Sequence, residues 1–115
     1  MKIGELCKLA NVSKELVRHY ETLGLIESRE LIAGSRRYRL FDEETLLRLS
    51  IIKTGKKIGF SLREIKPLLD AYLSNDLTNK EVLAILEKQH HKLSMKVDEL
   101  EEVKTLIEYK INLLS

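Results

Sequence analysis

No glycine or proline occurs after Thr78, and the apolar residues of that last stretch recur every seven places. Leu86, Leu93, Leu100, Ile107 and Leu114 make one column, and Leu83, Val97 and Ile111 make a second. Alternating steps of three and four put both columns on one side of a helix. Thr78-Asn79-Lys80-Glu81 has the form of a capping box, with Leu77 and Val82 placed as its hydrophobic staple, so a single helix is predicted over 79–114. At 1.5 Å per residue that rod would be roughly 50 Å long, more than a small domain needs to close its own core. Its apolar seam calls for another helix. The expectation is a coiled coil of about four heptads in which Leu83, Leu86, Leu93, Val97, Leu100, Ile107 and Ile111 make the dimer contacts. His90 and Lys104 fall in the second column, where polar residues weaken the pairing but fix register and partner number.

The residues before this rod, 1–75, are enough for one modest core, and 76–115 form the dimerisation segment. Charge divides along the chain in the same sense. Residues 1–70 hold 14 Lys and Arg against 10 Asp and Glu, a balance of +4, whereas 71–115 hold 6 against 8, a balance of −2. A basic front half points weakly to nucleic acid. The single cysteine, Cys7, forms no internal disulfide and belongs to no metal-ligand cluster, which fits a reducing cytoplasm and predicts no metal and no cofactor. Apolar runs are only a few residues long and "MKIGELCKLANVS" lacks the apolar stretch of a signal peptide, so neither membrane nor export is expected.

Along the front half, Ile3, Leu6, Cys7 and Ala10 mark the apolar face of a short helix that ends near Asn11. Ser13 is placed to cap a second helix over 14–23, stapled by Val12 and Val17 and stopped by Gly24. Two short helices joined by "ANVS" have the dimensions of a helix-turn-helix, whose second member enters the DNA major groove, and equally those of an ordinary helical hairpin. A β-hairpin is expected next, with strands near 26–31 and 36–41 around Ala33-Gly34-Ser35. Asp42 opens a third helix reaching about Ile58, with a stripe of Leu46, Leu49 and Ile52 flanked by Leu47 and Ile51. Gly55 inside it costs about 1 kcal/mol relative to Ala. After Gly59, Ser61 and Glu64 form a capping box inside a Phe60–Ile65 staple, and Pro67 is expected to kink or shorten the fourth helix.

"GSRRYRLFDEETL", residues 34–46, sets three arginines and a tyrosine in four positions before three acids. Alternation along a strand separates Arg37 and Arg39 from Arg36, Tyr38 and Leu40, so at least one charged face meets solvent or phosphate. The acids are helix-start residues, placed where the dipole favours negative charge.

The order of elements, together with "IGELCKLANVSKELVRHYETLGLI", "SRRYRLFDEETL" and "KKIGFSLREIKPLL", resembles the MerR family of bacterial transcription regulators over essentially the whole chain. Arg18-His19-Tyr20-Glu21 stands where the family has Arg-aromatic-Tyr-Glu, with His19 in place of a frequent tyrosine. The resemblance implies a mainly α protein with a small β-hairpin wing: a winged helix-turn-helix followed by a long C-terminal helix that pairs antiparallel with its copy. It implies a homodimer that binds double-stranded promoter DNA, bends and untwists it between the RNA polymerase elements, and is not an enzyme. Arg37 and Tyr38 from the wing, Arg18 and Tyr20 from the recognition helix and Lys56 from the second wing are carried over as DNA-binding residues. Lys14 and Glu15, at the start of the second helix, are candidates for base edges. Distorting DNA costs on the order of 1 to 6 kcal/mol, which is why many phosphate grips are needed.

Metal-sensing members carry a cysteine-bearing loop after the long helix and drug-sensing members a further domain. This sequence shows neither through Leu113-Leu114-Ser115, so no effector is assigned. Cys7 as a redox sensor stands beside Cys7 as core packing, and His90-His91 as metal ligands beside a solvated pair. Two other roles fit the same elements: a modulator that grips another protein, such as a chaperone partner, and an architectural protein that bends DNA away from promoters. Nucleophile-base pairs, phosphate loops and metal constellations, the marks of an enzyme, are lacking.

Overall fold

The computed structural model describes residues 1–115 and divides into two compact units, Met1–Asp76 and Leu77–Ser115. The first holds α1 (Ile3–Ala10), α2 (Lys14–Thr22), β1 (Arg29–Ala33), β2 (Arg36–Leu40), α3 (Glu43–Lys57) and α4 (Leu62–Leu73). The second is one helix, α5 (Asn79–Leu114). The chain is therefore mainly helical, with one two-stranded antiparallel hairpin.

Each helix start expected from local residues is present. Ser13 accepts from the Leu16 amide and Asp42 from the Thr45 amide. Ser61 with Glu64, and Thr78 with Glu81, each close a reciprocal capping box that satisfies two otherwise orphaned amides. Asn11 ends α1 in the left-handed region at φ 55°. Gly24, at φ 76°, carries the chain out of α2, where a side chain would be strained.

α1 packs on α2 and α3, and α3 on α4, around Leu6, Val17, Tyr20, Leu25, Ile26, Phe41, Leu49, Ile52, Ile65 and Leu69, all of which are buried. Cys7 is half-buried against this core, as its place on the α1 stripe anticipates. Of the α3 stripe, Leu49 and Ile52 are buried and Leu46 and Ile51 pack beside them, whereas Leu47 is exposed.

The structure corrects two expectations. The first strand begins at Arg29 rather than near 26, because Leu25 and Ile26 are needed in the core and cannot lie in an exposed ribbon. Nor does Pro67 shorten α4, which continues past it to Leu73. Proline removes one ladder hydrogen bond, but Ile65 and Leu69 on either side are both buried, and their packing holds the helix.

α5 is a single uninterrupted helix of 36 residues. Every residue from His90 to Ser115 is exposed, including Leu93, Val97, Leu100, Ile107 and Ile111; Leu83 and Leu86 before them are exposed as well. No helix is long and apolar enough to cross a membrane.

Candidate nucleic-acid interface

The nine residues of α2 bury one side and present the other. Val17 and Tyr20 enter the core, and Leu16 and Glu21 are half-buried. Lys14, Glu15, Arg18, His19 and Thr22 are exposed and, by the 3.6-residue period, share the opposite face. The free amides and positive dipole end of the helix stand beside Lys14 and favour an anion, whereas the Glu15 carboxylate there is an acceptor that suits a base amino group rather than a phosphate.

The hairpin that follows is closed by a two-residue turn, Gly34-Ser35, with Gly34 alone at positive φ (65°), as a type II′ connection requires. Register pairs Arg36 with Ala33, Arg37 with Ile32, Tyr38 with Leu31 and Arg39 with Glu30. Arg37 and Arg39 thus share one face, while Arg36, Tyr38 and Leu40 share the other. Tyr38 and Leu40 are half-buried and the arginines exposed.

The outer segment of residues 1–2 joins this ribbon. Lys2 bridges Leu40 antiparallel, the Phe41 amide donates to the Met1 carbonyl at 2.7 Å, and the Lys2 ammonium lies 3.8 Å from the centre of the Tyr38 ring. A cleft results between α1, α2 and β2, with Lys2, Arg18, Glu21, Arg37, Tyr38 and Arg39 on its walls. Arg18, Arg37 and Tyr38, three of the DNA-binding candidates, all border it, Arg37 and Tyr38 from opposite faces of β2. Lys14 and Glu15 lie at the exposed start of α2, and Lys56 lies in the last turn of α3, exposed and outside the cleft.

Tyr20, another of the DNA-binding candidates, is almost wholly buried. It is only 5% exposed and its ring belongs to the core, so only the hydroxyl edge is left to reach a ligand. That hydroxyl has no protein partner and is not sealed from solvent. Burial raises the phenol's pKa above its ordinary value, because the charged form is poorly solvated there.

The arginines divide by what already holds them. Arg37, with a side chain 77% exposed, meets Glu30 at 3.4 Å, and such an exposed pair is worth little and gives way readily to a phosphate. Arg18 has no carboxylate partner. Arg39 is paired with Glu21, which also accepts from the Ser28 hydroxyl. Arg48 is structural: its Nη1 donates to the Leu25 carbonyl at 3.1 Å and to Asp70 at 3.0 Å, tying α3 to α4 and to the segment after α2.

Lys2 gives no local signal of its place in this cleft, and Ser28 none of its contact with Glu21. Lys2 arrives by pairing with Leu40, far along the chain, and nothing in a strand's alternation distinguishes the engaged Arg39 from the available Arg37. The structure holds no group of three or more His, Cys, Asp or Glu side chains arranged to bind a metal, and His90 and His91 are both exposed.

Comparison with known proteins agrees with this architecture. Residues 1–72 match the family described as "MerR HTH family regulatory protein", and residues 46–108 match "MerR, DNA binding". The chain is 34% identical over 100 residues to the HTH-type transcriptional regulator ZntR homolog of Haemophilus influenzae, covering 87% of this chain and 73% of that one. Among solved structures it is similar to the N-terminal part of the Bacillus subtilis multidrug transporter activator MtaN, at 27% identity and a TM-score of 0.79, covering 96% of this chain and 97% of that one. It is also similar to HiNmlR, a MerR family regulator lacking the sensor domain and bound to promoter DNA, at 25% identity and a TM-score of 0.59, covering 96% and 83% respectively. With both family models matching in order along a helix-turn-helix, a wing and a long terminal helix, the chain belongs to the MerR family and is a DNA-binding transcription regulator.

Proposed function

We propose that two copies of the chain, joined through antiparallel α5 helices, bind the two half-sites of a promoter and distort the DNA between them. The carrying observation is the cleft bordered by Arg18 from α2, Arg37 and Tyr38 from β2, and Lys2. Phosphate contacts from the wing would fix the position of each first unit, while the exposed face of α2, led by Lys14 and Glu15, reads base edges in the major groove. Lys56 would add a further phosphate contact, and the Tyr20 hydroxyl a hydrogen bond at the edge of the interface.

Support for the dimer comes from α5. Leu83, Leu86, Leu93, Val97, Leu100, Ile107 and Ile111 are all exposed in the single chain, and a helix carrying so continuous an apolar seam gains by covering it. Two-fold pairing of the rods then matches the two-fold symmetry of an inverted repeat. Distortion of the spacer would place RNA polymerase's recognition elements on one face of the duplex, and the likeness to a promoter-bound relative favours this reading over a purely architectural role. The protein would work in the cytoplasm, as a regulator rather than an enzyme, with no metal or cofactor of its own.

The test is selection of duplexes from a random-sequence pool by the wild-type protein, followed by footprinting. The expected product is an inverted repeat protected at both halves. Enrichment of isolated single sites, or of none, would contradict the two-fold reading, and stoichiometric capture of one protein partner without DNA enrichment would favour the modulator role.

A further inference from the structure

Apart from the Met1–Lys2 segment, which ties β2 down at Leu40 and Phe41 and covers Tyr38, the wing has little to anchor it. Every residue of β1 is exposed and only Tyr38 and Leu40 of β2 are half-buried. A lone two-stranded hairpin is marginal in water, so the angle at which it presents Arg37 and Tyr38 depends on what holds its base. One side chain of the recognition helix reaches both strands' ends. Glu21, only 17% exposed, accepts from the Ser28 hydroxyl through Oε2 and from the Arg39 guanidinium through Oε1. Ser28 immediately precedes β1, and Arg39 lies next to the end of β2.

The electrostatics of the cleft make this arrangement informative. A carboxylate on the wall of a phosphate-binding cleft repels the ligand, so an acid there needs another reason for its position. Arg39 supplies the neutralising charge and is thereby occupied, in contrast to Arg37 on the same face, whose pair with Glu30 is exposed at both ends. We infer that Glu21 is the positioning residue of the wing, and that Arg39 is a strut bound to it rather than a phosphate grip. Through this pair α2 sets the separation between Arg18 on the helix and Arg37 and Tyr38 on the hairpin. The inference rests on the DNA-binding reading above and adds to it which arginine grips and which one holds.

The two roles predict opposite signs. Glu21→Gln removes a negative charge from the cleft, which by simple electrostatics tightens DNA binding; as loss of a positioning contact it weakens binding, by about fivefold, because ordering the wing must then be met at the moment of association. The double variant Glu21→Gln/Arg39→Gln carries the same net charge as the native pair, so its salt dependence equals that of the wild type if Arg39 touches no phosphate, and is flatter by about one unit if it does.

The experiment is a fluorescence-anisotropy salt titration of the full chain on a duplex selected by the wild type, with circular dichroism confirming helix content. Weaker binding by Glu21→Gln, and a double variant equally weak with the native slope, are the expected results. Ser28→Ala, which deletes one bond and leaves the ion pair, should give a smaller loss at the native slope. Native or tighter binding by Glu21→Gln, or a flattened slope in the double variant, would overturn the inference. Failure of the wild type to bind any selected duplex would instead overturn the DNA-binding reading.

Discussion

The Cδ1 of Ile65 in α4 stands 3.0 Å from where a Cβ on Gly55 of α3 would lie, and Ile65 Cγ1 is equally near. Ile65 is buried, so it has little room to retreat. Gly55 is therefore the residue that lets α3 and α4 approach, and its helix-propensity cost of about 1 kcal/mol is outweighed by that packing. Gly55→Ala should lower stability by about 1 kcal/mol net, overpacking of about 1 to 3 kcal/mol being partly offset by better propensity. Gly4 in α1, where an added Cβ would meet nothing within 4 Å, is the control. Gly4→Ala should raise stability by about 0.5 to 1 kcal/mol. Urea midpoints measure both, and a stabilised Gly55→Ala would show that the α3–α4 contact tolerates a methyl group.

Arg37→Ala should weaken binding to all duplexes by a similar factor and reduce the slope of log K against log salt by about one unit, since Arg37 is exposed and its pair with Glu30 is easily exchanged for a phosphate. An unchanged slope in a salt titration would remove Arg37 from the phosphate contacts.

Tyr20 couples stability to alkaline pH. Its folded-state pKa is raised by burial above the ordinary 10.0, so above that pH the unfolded chain loses the phenolic proton before the folded one does. Stability is then fully present below about pH 10 and falls as pH rises through the folded pKa. Tyr20→Phe cannot titrate, and its stability should decline less steeply than that of the wild type in parallel urea titrations between roughly pH 9.5 and 11. Equal slopes would mean that the hydroxyl is as well solvated in the folded chain as in the unfolded one.

The elements legible in the sequence are those whose signals are local. Ser13, Asp42, Ser61 and Thr78 each bond an amide three residues on, and that spacing is visible without tertiary structure. The start of β1 is less legible, since Leu25 and Ile26 have the composition of a strand and only the packing of the first unit draws them into the core. Tyr20 is a different case: it shares a motif with the exposed Arg18 and His19, but its spacing of three from Val17, a local signal, already turns its ring inward. Arg37 and Arg39 are alike by strand parity, and the difference between them lies in Glu21, contributed by another element.

Two chains that pair through α5 and together hold one duplex are the centre of the proposed mechanism. Leu100, 64% exposed in the single chain, lies in the middle of the seam, so a charge there should separate the rods. Sedimentation equilibrium of the wild type and of Leu100→Asp, each with and without a selected duplex, measures this directly. The expected results are a wild-type dimer that binds as two chains to one duplex, and a monomeric Leu100→Asp that has lost two-site binding. A wild type that sediments as a monomer, or a variant that remains a dimer on DNA, would contradict the pairing.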